Sequence, residues 1–166
     1  MRARWIMATL LLAGCAEEIT PEERAVQDER DVALVEAANN VAPPIVLITP
    51  EPLLLPDIER HDLFGEACNY APGTSLGARV IARESDAFFK VGGEVMRLAA
   101  DSGSRELPRR TRTLYSGKEF SLRLRIEGEG EPAPAGGALN YEGTVEVRDA
   151  YGRVVYEGTG LAQCSG

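Results

Sequence analysis

Glu119-Phe120-Ser121-Leu122-Arg123-Leu124-Arg125-Ile126-Glu127 reads as a β-strand with one apolar face. Phe120, Leu122, Leu124 and Ile126 alternate with Ser121, Arg123, Arg125 and Glu127. Successive side chains of a strand point to opposite faces, so this stretch offers one face to a core and the other to water. Its neighbours repeat the scheme. Thr144 to Arg148 puts Val145 and Val147 inward, and Arg153 to Glu157 carries Val154 and Tyr156. Asp149-Ala150-Tyr151-Gly152 between them has the residues of a hairpin turn. Phe88 to Val91, Gly92-Gly93 and Glu94 to Leu98 spell a second hairpin. Arg79 to Arg83 and Thr113 to Tyr115 are weaker strands, and Leu161 to Cys164 would finish the sheet. Residues 64–166 are therefore expected to be mainly β, as a small antiparallel β-barrel or sandwich of six to eight short strands. Glu127 to Gly137, rich in Glu, Gly and Pro, is expected to be an exposed, mobile loop.

Residues 15–63 differ in composition and read as an acidic tether. They hold 12 acids against 3 arginines, whereas from Phe64 onward 14 acids face 13 bases. Thr20-Pro21-Glu22-Glu23 is a helix start, with Thr20 as cap, Pro21 first in the helix and Glu23 closing a capping box. The helix is expected to reach about Ala38, with Val26, Val32, Leu34 and Val35 as a thin apolar stripe. Pro43, Pro44, Pro50, Pro52 and Pro56 then favour extended chain around the apolar runs Ile45 to Ile48 and Leu53 to Leu55. Two readings stand side by side: an edge strand packed on the domain, or a semi-stiff spacer. A net charge of −8 leaves no excess of cations to replace phosphate counterions. An aromatic share of 6% leaves no stacking platform. No nucleic-acid partner is expected.

Residues 1–14 form a third segment. Arg2 and Arg4 precede the apolar run Trp5 to Leu12, which falls well short of the roughly 20 residues that span a bilayer. Leu12-Ala13-Gly14-Cys15 resembles the lipobox of bacterial lipoprotein signals. The resemblance implies cleavage before Cys15, lipid on its thiol and membrane attachment through that lipid. Ala16 is not the aspartate that favours inner-membrane retention, so the resemblance implies an outer-membrane protein facing the periplasm. Export also places the chain in a compartment where disulfides persist. With Cys15 lipidated, Cys68 and Cys164 permit one intramolecular bridge across the domain; the other reading is two separate buried thiols.

Nothing in the chain calls for a metal, a cofactor or catalysis. His61, the only histidine, could serve as a base, but it sits in the polar tether without a nearby nucleophile and reads as a solvated side chain. No nucleophile elbow, metalloprotease helix or phosphate loop occurs. Asp101 and Glu106 are an acid pair of the kind glycosidases use, on a chain whose surface has many acids. The densest cationic stretch is Ser102-Gly103-Ser104-Arg105-Glu106-Leu107-Pro108-Arg109-Arg110-Thr111-Arg112. Arginine forks suit carboxylates and phosphates, so Ser102, Arg105, Arg109, Arg110 and Arg112 are candidate partner-binding residues. The alternative is a charged, solvated connection between strands.

A lipobox, a β-domain, cysteines near both of its ends and the run Ser102-Gly103-Ser104-Arg105 together resemble the periplasmic lipoprotein inhibitors of C-type lysozyme. That family inserts the serine and the basic residue of such a loop into the lysozyme cleft, which would assign the contacts to Ser102 and Arg105. Glu106 stands where the family has an aromatic residue, and its tryptophan in the following strand has no counterpart here. The leading expectation is a non-catalytic binding or envelope-support module with an unknown protein or envelope component as partner. A C-type lysozyme inhibitor and a cell-envelope hydrolase are the alternatives.

Overall fold

A computed structural model describes residues 20–39, 42–73, 75, 77–134 and 136–166. The signal, the lipobox and Cys15 lie outside the described residues. The chain divides into two units, Met1–Pro43 and Pro44–Gly166.

The first unit contributes helix α1, Pro21–Asn39. Its start follows the capping-box chemistry. The Thr20 hydroxyl accepts from the Glu23 amide at 3.2 Å, and the Glu23 carboxylate accepts from the Thr20 amide at 3.0 Å. No α1 residue is buried; Val26, Val32, Leu34 and Val35 are all exposed.

The second unit is a closed antiparallel barrel of eight strands in sequence order: β1 Ala67–Pro72, β2 Val80–Ala82, β3 Asp86–Val91, β4 Glu94–Ala100, β5 Leu114–Ser116, β6 Phe120–Pro132, β7 Ala138–Asp149 and β8 Val154–Ser165. Closure leaves no unpaired sheet edge, which decides barrel over sandwich. The deciding strand behaves as its alternation requires. Leu122 and Leu124 are buried and pair with Val147 and Val145, while Arg123 is exposed. Inside stand Tyr70, Phe89, Leu98, Tyr115, Leu122, Leu124, Val145 and Val147, with Phe89 and Phe120 in edge-to-face contact at 5.6 Å. The Gly92-Gly93 turn between β3 and β4 has positive φ at both residues, as a two-residue hairpin of this twist demands.

Four features depart from the expectations. The boundary between tether and domain moves from 63/64 to 43/44, because the chain from Ile48 onward bonds to the barrel and packs on it. Their backbone reaches it through Ile48 N–H to Val155 O, Glu51 N–H to Lys90 O and Leu53 N–H to Ala78 O. Neither apolar run becomes a strand. Instead Leu53 and Leu63, with Ile58 beside them, cover Ala67, Ile81 and Phe88 on the outside of the barrel wall. This covering explains why β2 is apolar on both faces and reads weakly as an alternating strand, and why Phe88 of β3 is buried on the outer face. Second, a short helix α2, Leu55–His61, follows the Pro56 start, with Asp57 accepting from the Leu54 amide at 3.0 Å. Asp57 also takes Lys90 Nζ at 3.1 Å, which ties α2 to β3. Third, β1 had no separate strand signal. Fourth, most of the expected 127–137 loop is strand. β6 runs to Pro132 through an irregularity between Glu127 and Glu131, where Gly128 and Gly130 take positive φ.

β1 and β8 close the barrel, with Cys68 directly opposite Cys164. The two form a disulfide across this seam, at a sequence separation of 96, and both are buried.

Candidate functional site

The arginine-rich segment joins β4 to β5 and is itself a small hairpin. Asp101 N–H donates to Leu114 O at 2.9 Å, Thr113 N–H to Arg105 O at 3.0 Å and Leu107 N–H to Thr111 O at 2.8 Å. Glu106 and Arg112 form the bridge pair between its arms. Its tip is a single turn, Pro108–Arg110. Leu107 is buried as part of the barrel core, and Thr111 is wholly buried. The segment is a largely exposed connection between strands, and two side chains turned inward pin it, which a charge-based reading of the sequence does not reveal.

Tyr115 ties the hairpin to the opposite turn. Its hydroxyl accepts from the Arg112 amide at 2.7 Å and donates to Arg83 O at 2.9 Å. Burial pushes this phenol up to about 12. Next to Arg83 lies Asp86, whose side chain is 2% exposed. It accepts from Arg83 at 2.8 Å and 3.1 Å and from Arg97 at 2.9 Å and 3.1 Å. Burial works to raise its pKa, but the hydrogen bonds from Arg83 and Arg97 prevail and hold it below the usual carboxylate range.

The five candidate residues fall into distinct settings. Ser102 and Gly103 form an exposed turn, closed by Ser104, whose amide and hydroxyl both donate to Asp101 O. Arg105 follows them and is exposed. Arg112 pairs with Glu106 at 3.3 Å, and Arg110 pairs with Glu84 at 2.7 Å on an open surface. Among the described residues, Arg105 and Arg109 make no ion pair. The cationic stretch thus carries less free charge than its composition suggests. Arg109 and Arg110 both adopt left-handed backbone, with φ of 57° and 56°, a region disfavoured for residues with a Cβ.

The other candidate chemistry finds no constellation. Asp101 and Glu106 are engaged within the hairpin, with the Gly103 amide and with Arg112. His61 is the exposed last residue of α2. Among the described residues no cluster of histidine, cysteine or carboxylates is placed to hold a metal ion, and no helix is long and apolar enough to cross a membrane. An open groove of about 490 Å³ beside the β6 irregularity is lined by Glu127, Glu129, Glu131, Glu142, Asn140 and Tyr141, among others. It was not legible because Glu129 and Glu131 read as loop and the pairing of Glu131 across to Asn140 of β7 did not show.

Compared with models of known families, with curated proteins and with solved structures, the chain matches none.

Proposed function

We propose that the protein is a lipid-anchored envelope component, held on the outer membrane by Cys15, whose barrel is a non-catalytic binding module for an acidic partner. The barrel interior is filled by aromatic and aliphatic side chains, which favours binding on the surface over binding in the lumen. One observation carries the reading. Arg105 and Arg109 stand without carboxylates on a hairpin that is otherwise fixed by backbone pairing and by two inward side chains. A hairpin backbone fixed in advance presents both arginines to an anionic surface without the cost of ordering the loop. A photo-crosslinker at Ser102, in the chain expressed with its own N-terminus, should capture an envelope partner. Replacing Arg105 and Arg109 by alanine should reduce that capture by about tenfold or more. Capture that is indifferent to both arginines refutes the reading. For the anchor, Cys15→Ala should move the protein out of the membrane fraction; an unchanged distribution refutes that half.

The exposed Ser102-Gly103 turn followed by exposed Arg105 favours a sharper version, inhibition of a C-type lysozyme by insertion of Ser102 and Arg105 into its acid-lined cleft. The purified chain should then block a C-type lysozyme at tens of micromolar, roughly the range of −6 to −7 kcal/mol. Arg105→Ala should abolish the block without changing the melting temperature. No inhibition at that concentration removes this version and leaves the broader one standing.

A further inference from the structure

The tip of the arginine hairpin is seated on the disulfide. Pro108 O lies 3.4 Å from Cys68 Sγ, and Thr111 Oγ1 lies 3.7 Å from the same sulfur. The Thr111 hydroxyl donates to Pro108 O at 2.8 Å, which closes the turn that contains Arg109 and Arg110. That turn packs against β1 and β8, the two strands joined by the bridge. Both arginines hold left-handed backbone, a state that persists only where surroundings enforce it. The surroundings here are the Cys68 sulfur, Thr111 and the inward Leu107.

We propose that the Cys68–Cys164 disulfide is a positioning element for Arg109 and Arg110, so that the hairpin tip keeps its presented shape only in the oxidised chain. What the presented pair is used for rests on the binding reading above; the dependence itself does not. Two bonded sulfurs sit about 2 Å apart. When a dithiol reduces the bridge, the S–S bond breaks and Cys68 and Cys164 each gain a thiol hydrogen. The dithiol supplies the two electrons and two protons and closes to its own disulfide. The two sulfurs must then separate to van der Waals contact, and the seat beneath Pro108 shifts. The Cys68 sulfur lies against this turn and both cysteines are buried, so the coupling is reciprocal: loosening the turn eases a reductant's access to the bridge.

Limited trypsin digestion of the full chain reads the order of the tip directly, because the enzyme cuts after arginine only where the backbone opens. Cleavage after Arg109 and Arg110, normalised to cleavage after Arg24 in α1, should be slow in the oxidised protein. After dithiothreitol treatment it should be faster by about tenfold, with near-ultraviolet circular dichroism showing the barrel still folded. Equal cleavage in the oxidised and reduced folded chains overturns the proposal. If reduction unfolds the barrel, a second variant decides. Thr111→Val keeps the disulfide and removes the hydroxyl that closes the turn. Because bridge and turn hold each other in place, it should speed reduction of Cys68–Cys164 by dithiothreitol about tenfold, read by alkylation of the freed thiols at short times, and Thr111→Ser should not. Reduction of Thr111→Val at the native rate then overturns the proposal. No partner is present in any arm, so failure here leaves the binding reading intact, and failure of the crosslinking test leaves this one intact.

Discussion

Replacing Cys68 and Cys164 together by alanine tests how much of the barrel's stability resides in its seam. The bridge closes a loop of 96 residues in the unfolded chain. In the chain-entropy model a loop of this length stabilises by about 4.7 kcal/mol at 25 °C. Both sulfurs are buried, and their loss adds a packing term of about 1 kcal/mol. The β1–β8 pairing from Ala67 to Pro72 survives the substitution, so the native state keeps its closure and the effect falls mainly on the unfolded chain. The expected loss is about 4–6 kcal/mol, a large share of the roughly 5–15 kcal/mol typical of a domain. At about 2.1 cal/mol/K per residue, the unit Pro44–Gly166 unfolds with about 0.26 kcal/mol/K, so the melting temperature should fall by roughly 15–23 °C. Urea titration of the oxidised protein and the double variant gives both the free energy and the slope. The slope should rise in the variant, whose unfolded chain is no longer cross-linked. A loss under about 1.5 kcal/mol with an unchanged slope would refute the reasoning.

Gly158 faces the barrel interior, where a Cβ would come within 2.7 Å of the Tyr70 hydroxyl and closer still to that of Tyr156. Gly158→Ala should therefore cost about 1–3 kcal/mol by overpacking, measured by urea titration; a neutral result would mean the two phenols move aside freely. Asp86→Asn should cost about 2–3 kcal/mol at neutral pH, because Arg83 and Arg97 lose a charged acceptor. The folded pKa of Asp86 is depressed, so its contribution is complete above the unfolded value of about 3.9 and is lost as pH falls through the lower folded value. The gap between wild type and Asp86→Asn should accordingly narrow on acidification below about pH 4. A gap that holds constant to pH 2 would contradict the depressed pKa.

The parts of this fold that were legible are those in which local chemistry and global structure coincide. Phe120 to Ile126 alternates because one face meets the core and the other meets water. Thr20 and Glu23 cap a helix through bonds that span three residues. Cys68 and Cys164 are the two cysteines that the lipobox reading of Cys15 left to pair, and they do pair. The illegible parts depend on partners distant in sequence. Ile81 and Phe88 look out of phase until Leu53 and Leu63 are laid over them. β6 beyond Glu127 has the composition of a loop, yet Glu131 and Pro132 are paired with Asn140 and Leu139. In the candidate site the arginines were visible, but Leu107 and Thr111, which hold their hairpin, were not. The segment's charge pattern does not set Leu107 and Thr111 apart from Ser102 and Gly103, which are neutral too and are exposed.

The seam also imposes an order in time. A chain made from its N-terminus presents Cys68 well before Cys164, which comes from the last strand. Throughout the interval β1 has only β2 as a neighbour, and the Cys68 sulfur has no native partner. Tyr70, Val80 and Phe89 exist in the chain before β8 arrives to complete the wall around them. Native closure thus follows synthesis of all eight strands of the barrel. The half-made protein carries both an unpaired thiol and an open sheet edge, the two features that chaperones and thiol oxidases recognise.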